Sequence, residues 1–468
     1  MPDPDELHEA PESAGSLGSP ESRESPRSPM DSPAGPATPS RFRFMAKLIV
    51  LLLLVWLAVV FWNSAKPLPP GMHVVSQTSR LSEADVDFVF EGPRQPQMLA
   101  ADLAAIDHAE QLIVLDRSPV GIEAAQHLLA RHRMRPNLKI VVVTDPGSER
   151  LGDTPPLTLA SLEQAGVIVA RARLDRLRDS NPLYTGAWRM VFGWWSDPFD
   201  DTPEQTSVAA WSRSRNFKAD QRQILVADDG SGGWTAVVAA ADARADLVLR
   251  GALARAMVTS ELQVAAWSTD DDRLPAAPPM SSRGVGSIDA RFLTEAGIET
   301  ALLDAMAAAG SGDRISIAVN TLSDRPFILA ALRAAKRGAR LQVLLARNQI
   351  PNQAVAGELR QEGDGHIEIR WDVPEPGTTC PALLIVQHRG DLWLNVSSAN
   401  FTRRNLYDLN LEAGVELRMP AATAPARAGM KYFAGIWAGA TAESDPTDES
   451  MLTYWRYRFE ESTGLSSF

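Results

Sequence analysis

Residues 216–242 read NFKADQRQILVADDGSGGWTAVVAAAD and residues 378–401 read TTCPALLIVQHRGDLWLNVSSANF, and the two stretches share one plan. Each has a short polar lead-in, a β-rich run (Ile224–Ala227, Leu383–Val386), a Gly/Asp turn, a second run (Trp234–Val238, Leu392–Val396) and a small-residue cluster closed by Asp242 or Asn400. The likeness continues upstream. LAADLAAIDHAEQ (99–111) reads as helix and leads into LIVLD, as ALLDAMAAAGSGDR (301–314) leads into ISIAV. AAQHLLARHRMRPNLKIVVVTD (124–145) then corresponds to ILAALRAAKRGARLQVLLAR (328–347), and LASLEQAGVIVARAR (159–173) to VAGELRQEGDGHIEIRW (355–371). Self-similarity of this kind means one supersecondary unit used more than once, here an α/β unit of about 150 residues occurring twice.

Hydrophobic periodicity predicts strands at 112–116, 139–144, 167–171, 224–228, 234–239, 315–319, 341–345, 367–371, 383–387 and 392–396. It predicts helices at 98–109, 121–133, 157–165, 247–257, 299–308, 326–337 and 352–361. The fold class expected is therefore α/β: a duplicated, pseudo-twofold, bilobal pair of halves with mixed sheets, preceded by one transmembrane helix. The boundaries expected are a disordered tail over 1–43, an anchor over 44–63 and a linker over 64–82. A first half over 83–265, a connector over 266–287, a second half over 288–440 and an extension over 441–468 follow. The connector is marked by the acidic triplet and the Pro/Gly-rich PAAPPMSSRGVG.

Composition narrows the function. A chain of 468 residues, 45% hydrophobic and 22% charged, has material for a sizeable core. A net charge of −12 argues against a broad nucleic-acid footprint, which needs a basic face, so no nucleic-acid partner is expected. Cys380 is the only cysteine, which excludes a disulfide framework and a Cys-based metal site. The seven histidines have no paired metal-ligand spacing, and no metal or cofactor is expected.

The N-terminus sets the compartment. Residues 1–40 are dominated by Ser, Pro, Glu and Asp, too polar to offset the entropy of ordering. RFRFMAKLIVLLLLVWLAVVFWNSAK follows at 41–66, and from Phe44 to Trp62 only Lys47 is charged. Nineteen residues at 1.5 Å each span about 28 Å, close to the hydrocarbon core of a bilayer. Arg41, Arg43 and Lys47 precede the run while Lys66 follows it, so the positive-inside rule puts the tail in the cytoplasm. Asn63-Ser64-Ala65 leaves a cleaved signal peptide as the competing reading, but the long tail and long apolar run favour an uncleaved anchor. Lys66–Gly71 (KPLPPG) reads as a stiff exit linker.

One family carries two such halves. NVSSANFTRRNLYDLNLEA at 395–413 closely resembles the segment after the second catalytic motif of the phospholipase D superfamily, a (G/S)SANxT turn followed by NLE. NFKADQRQILVAD at 216–228 resembles the first-motif region, usually NFKADHRKLLVAD. LRDSNPLY (177–184), TEAGI (294–298), LSDRP (322–326), residues 334–359 and the closing YWRYRFEESTGLSSF extend the match over nearly all of 83–468. They resemble a membrane-anchored bacterial subgroup, which implies a single-pass inner-membrane protein with its large domain on the periplasmic side.

The same resemblance exposes a departure. Enzymes of this family carry HxK(x)4D in each half; one histidine attacks phosphorus, the other protonates the leaving group, and the lysines hold phosphate oxygens. The first-half His and Lys positions fall on Gln221 and Gln223, leaving Asp228; the second-half positions fall on Cys380 and Ala382, with Gln387 at the Asp position. Asp242 stands where the family has an Asn. Glutamine neither attacks phosphorus nor shuttles protons near pH 7. A thiolate at Cys380 is the sharpest replacement nucleophile, but Thr378, Thr379 and Pro381 supply no positive charge to activate it. His388, at the hairpin turn, is expected to face solvent.

The resemblance implies phosphate contacts from Ser398 and Asn400, and Lys218 on the lead-in could reach the same place. Glu412 would orient the catalytic His in the family; with that His gone, pairing with an arginine is expected. Two functions remain. One is a membrane-tethered pseudoenzyme binding a phospholipid head group, another phosphate-containing ligand or a protein partner. The alternative is an active phosphodiesterase or phosphatidyltransferase of the phospholipase D or cardiolipin synthase type.

Overall fold

The computed structural model describes residues 39–90, 97–151, 153–192, 218–239, 245–278, 284–372, 380–442, 451–463 and 465. The chain divides into a unit ending at Leu53 and a body, Leu54–Phe468. Helix α1 (Pro39–Ser64) contains Arg41–Ser64, which is long and apolar enough to cross a membrane and has no buried residue in its most apolar window.

Two mixed sheets build the body. The first half supplies β2 (Val86–Phe90), β3 (Leu112–Arg117), β4 (Lys139–Thr144), β5 (Ile168–Arg171), β6 (Gln223–Asp228), β7 (Trp234–Ala239) and β8 (Ala245–Arg250). Their order is β2-β8-β7-β6-β3-β4-β5, parallel from β3 to β5 and antiparallel elsewhere. The second half supplies β9 (Ile288–Thr294), β10 (Arg314–Val319), β11 (Arg340–Ala346), β12 (Ile367–Asp372), β13 (Ala382–His388), β14 (Asp391–Ser397) and β15 (Ala413–Pro420). The order β9-β15-β14-β13-β10-β11-β12 repeats that of the first sheet strand for strand. The linker adds β1 (Ser79–Leu81), antiparallel to β9, so residues before the first half complete the sheet of the second.

Helices cover the outer faces in matching order. On the first sheet lie α2 (Gln97–His108), α3 (Ile122–Met134) and α5 (Pro156–Gln164), with the short α4 (Pro146–Leu151) after β4. On the second lie α8 (Ala296–Ala308), α9 (Arg325–Lys336) and α10 (Ile350–Glu362). Between the sheets sit α7 (Ala252–Ser268) and α12 (Ala424–Gly439). One continuous core joins Ile224, Val226 and Val238 of the first half to Ile385, Leu394 and Val396 of the second through Met257, Leu262 and Phe433. The remaining helices are α6 (Pro182–Phe192), α11 (Arg403–Leu406) and α13 (Met451–Thr463).

Local chemistry accounts for several conserved-looking strings. In LSDRP, Asp324 caps α9: its Oδ2 accepts from Phe327 N at 2.9 Å, with Pro326 pre-set for the first turn. Asn352 is fully buried and ties three segments, accepting from Leu322 N and donating to the carbonyls of Asn320 and Ala346, all at 2.8 Å. The helix expected at 247–257 is instead strand β8 followed by α7. Gly251, at φ +89°, separates the two elements. β8 lies between β2 and β7 with both faces covered, and its unbroken apolar run Leu247–Leu249 does not show the alternation of a half-exposed strand.

Candidate functional site

The two hairpins place the degenerate motif positions at the joint between the halves. The lead-in to β6 runs beside the turn before β15: Gln221 N donates to Leu411 O at 2.9 Å, Leu411 N to Ala219 O at 3.0 Å, and Ala219 N to Asn410 Oδ1 at 3.1 Å. Period-two geometry then sends Gln221 and Gln223 one way and Arg222 the other. Gln221 Oε1 accepts from Asn405 Nδ2 at 2.7 Å, and Gln223 Nε2 donates to Ser118 O at 2.9 Å. Both amides are engaged in tying chain segments together.

Among the described residues Glu412 pairs with Ser398 and Asn405 and not with an arginine, a correction to the expectation. Its Oε1 accepts from the same Asn405 amide and its Oε2 from Ser398 Oγ. Ser398 Oγ also accepts from Ala413 N at 3.1 Å, so that hydroxyl is turned into the turn itself. Complete burial raises the Glu412 pKa to about 8, reinforced by the nearby Glu295 and Asp220 carboxylates and opposed by the two hydrogen bonds. Asn400 Oδ1 accepts from Thr321 N at 3.2 Å. Lys218 reaches back, not forward: its Nζ lies 2.7 Å from Asp179 Oδ1 and 2.8 Å from Leu177 O.

The second-half positions are plainer. Cys380 and Ala382 are buried; Ala382 pairs with Ser397 across the hairpin, and Cys380 Sγ faces Leu344 O at 3.9 Å. Buried cysteines of this kind are inert. Asp228 is structural. It accepts from Gln111 N at 2.8 Å, Leu112 N at 2.6 Å and Gly230 N at 2.8 Å, fastening the start of β3 to its own turn. Gln387 occupies the same register position opposite Arg314. In this half the fastening passes to the next residue: His388 Nδ1 meets Asp313 Oδ2 at 2.8 Å, so His388 is partly buried and not simply facing solvent. Asp242 lies outside the described residues.

What sequence reading missed is the centre of the joint. Arg222 has no exposed surface. Its Nη1 lies 3.0 Å from Glu261 Oε1, and its Nη2 lies 2.7 Å from Glu295 Oε1 and 2.8 Å from Gly71 O. Glu295 also accepts from Glu412 N at 3.0 Å and His73 N at 2.7 Å. Asp116 and Asp220 complete a buried acidic group. Burial raises both pKa values, and Asp116 lies against the Glu261 carboxyl. Asp145 accepts from Asp220 N at 2.8 Å. One signal was available: Glu261 falls on the apolar stripe of α7 with Ala254, Met257, Val258 and Ala265, where an acid needs a buried partner. At the rim, the His73 ring pairs with Asp408 at 3.1 Å.

Residues 302–437 match a family model described as cardiolipin synthase, PLD-like domain. No curated protein matches the chain in sequence. Phosphatidylserine synthase from Haemophilus influenzae Rd KW20 is similar over 89% of this chain and 99% of its own, at 10% identity and a TM-score of 0.54. Polyphosphate kinase from Porphyromonas gingivalis is similar over 81% of this chain and 53% of its own, at 11% identity and a TM-score of 0.44. The phospholipase D family member Nuc from Salmonella typhimurium covers 33% of this chain and 97% of its own, at 15% identity and a TM-score of 0.27. Residues 302–437 thus form a PLD-like domain, and the body as a whole shares its fold with the phosphatidylserine synthase.

Two consequences are measurable. Arg222→Met strands Glu261 and Glu295 in the interior and should cost about 3–5 kcal/mol at neutral pH. Denaturant titration should show that deficit shrinking toward pH 5, as the stranded carboxylates take up protons. Glu412 gives the second. Between its ordinary value of 4.5 and about 8 the native state holds a proton that the unfolded chain releases. Its contribution to stability is therefore present below pH 4.5 and lost as pH rises through about 8. Glu412→Gln should flatten the stability–pH slope across that window; an unchanged slope would show that Glu412 ionises normally in the fold.

Proposed function

We propose that this protein is a membrane-anchored phospholipase D-fold protein that has lost phosphodiester chemistry and serves as a binding component at a phospholipid surface. One observation carries the reading: all four catalytic His and Lys positions hold Gln221, Gln223, Cys380 and Ala382, and these residues are absorbed into the packing of the joint. The surrounding buried groups are acids held by one guanidinium, and an anionic phosphate entering among them would meet repulsion. Phospholipids enter as the ligand class because the matched family description names cardiolipin synthase and the structural relative is a phosphatidylserine synthase. The apolar α1, with Arg41, Arg43 and Lys47 in its first turns, supports a single-pass inner-membrane protein with its body on the periplasmic side. The boundaries read from sequence serve as its domain plan.

The alternative rests on His73. Its ring is half exposed and paired with Asp408, the arrangement of an oriented general base displaced from the family position.

Full-length protein in proteoliposomes of phosphatidylglycerol and phosphatidylethanolamine should show no head-group hydrolysis or exchange above that of protein-free vesicles, and Cys380→Ala should be indistinguishable from it. Turnover abolished by Cys380→Ala would establish a thiol nucleophile. Turnover abolished by His73→Ala would establish a relocated imidazole. Either result overturns the proposal. Topology is tested separately: protease added to intact spheroplasts should digest 66–468 and spare a tag placed before Arg41. Protection of the body would reverse the orientation.

A further inference from the structure

α6 (Pro182–Phe192) carries one charged side chain, Arg189, in the sequence PLYTGAWRMVF. It crosses the last two turns of α1. Trp56 Nε1 donates to Leu183 O at 3.2 Å, and a Cβ at Gly186 would stand 2.5 Å from Val60 Cγ2 and 3.1 Å from Trp56 Nε1. Only glycine admits that approach. Asp179 N donates to Asn63 O at 3.3 Å, so the segment entering α6 starts at the level where α1 ends.

The outward face of α6 is apolar. Leu183, Ala187 and Val191 are exposed at four-residue spacing, Val191 by 63%, and Trp188 and Phe192 pack together at 6.1 Å between ring centroids. On α1 the neighbouring Leu57, Phe61 and Trp62 are exposed as well. A helix that is apolar nearly all round and still exposed is made for lipid, not water. The two apolar surfaces are continuous across the Trp56–Gly186 contact.

Charge collects at the same end. Lys218 and Arg189 both bind Asp179 Oδ1, at 2.7 and 2.8 Å, and Lys66 Nζ donates to Asp175 O at 2.8 Å. Lys218 and Arg189 thus share the one buried carboxylate of Asp179, while Lys66 is held by a backbone carbonyl. Arg178 joins them, with Nε on Lys66 O at 3.0 Å and Nη1 3.4 Å from Asp408, a carboxylate it shares with His73. Burial, and after it the facing Arg189, lower the Lys66 pKa against the opposing pull of Asp179 and Asp175. Arg189, on an apolar helix, snorkels back past the start of α6 to Asp179, ten residues earlier.

We propose that the exit of the anchor is a binding site for an anionic phospholipid, with its phosphate held by Lys66, Arg178 and Arg189 and its acyl chains lying along α6 and the last turns of α1. Lys218 and Asp179 form the buried floor that orients Arg189. The site rests on the reading of α1 as a membrane anchor and is independent of whether any catalysis persists at the joint.

The experiment uses the full chain in lipid nanodiscs, spin-labelled at Ala187→Cys or Val191→Cys, with Val55→Cys on α1 as the lipid reference and Ser231→Cys in an exposed turn as the aqueous one. Cys380 is buried and does not label. Collisions with oxygen against a water-soluble nickel chelate should place 187 and 191 with position 55. Labels at 187 and 191 matching 231 while 55 reads as lipid would overturn the site with the anchor intact; all four reading as aqueous would overturn the anchor and the site together. In detergent, titration with short-chain phosphatidylglycerol should give an affinity about tenfold above phosphatidylcholine or inorganic phosphate, and Lys66→Gln or Arg178→Gln should each remove about tenfold of it. Both substitutions are at partly exposed positions outside the buried floor. Equal affinity for the two lipids, or inorganic phosphate binding as tightly as phosphatidylglycerol, would overturn the proposal.

Discussion

A single guanidinium with no exposed surface holds the two halves of this molecule to each other. Arg222 stands between the two degenerate motif positions of the first half and reaches Glu261 in α7, Glu295 at the head of α8 and the carbonyl of Gly71 in the linker. Gly71 turns there with φ +86°, and a Cβ would lie 2.7 Å from Ser260 O. First half, second half and the chain from the membrane therefore meet on one side chain. Removing two carboxylates and a guanidinium from water is costly, and the paired contacts of Nη1 and Nη2 offset it although Arg222 Nε and Glu261 Oε2 make no hydrogen bond. Arginine suits the place since its fork of donors serves four acceptors, Ser260 Oγ, Glu261, Glu295 and Gly71 O, and it does not lose its proton.

The acids around that cation explain why the joint is unlike a phosphate-binding centre. Asp116, Asp220 and Glu412 lie within reach of the same field, and burial drives their protons on. A neutral carboxyl at Glu412 can sit beside Ser398 and Asn405 without a counter-ion, and Gln221 fits the same network as a neutral partner in the place of an imidazole. Uncharged side chains at Gln221, Gln223, Cys380 and Ala382 are thus consistent with the whole neighbourhood. The joint has become a neutral-to-acidic packing element.

Much of the architecture was legible because it is written twice. The hairpins at 223–239 and 382–397, the parallel trios and their covering helices follow from periodicity and from the repeat itself. Strand β8 was not, since a strand covered on both faces has the same unbroken apolar run as a buried helix. Arg222, Glu261 and Glu295 were not, since nothing in sequence says which acid a buried base will find across 39 or 73 residues. Asn405 and Glu412 were visible as matches to the family, yet their partner changed once the histidine was gone. Lys218 was misaimed for a simpler reason: Asp179 lies behind it, and a buried ammonium goes to the nearest carboxylate.

That displacement of Lys218 has a wider meaning for the fold. Basic side chains still gather around the body, but at the level where α1 ends and not at the joint. Lys66, Arg178, Arg189 and Lys218 face Asp175, Asp179 and Asp408, while α6 lays an apolar stripe beside the anchor. In an active member of the family the cations and the reacting centre would coincide, since the lysines must hold the phosphate that the histidine attacks. Here the one cation at the joint, Arg222, is buried and paired with Glu261 and Glu295, while the partly exposed cations lie apart from it. The joint is buried between two sheets, where only neutral or paired groups are tolerated; in the proposed lipid site the cations would sit at a lipid–water boundary, where excess positive charge is stabilised by anionic head groups. On the proposed reading, a protein with an apolar anchor, a basic rim and an uncharged centre is built around the parts that would meet a membrane.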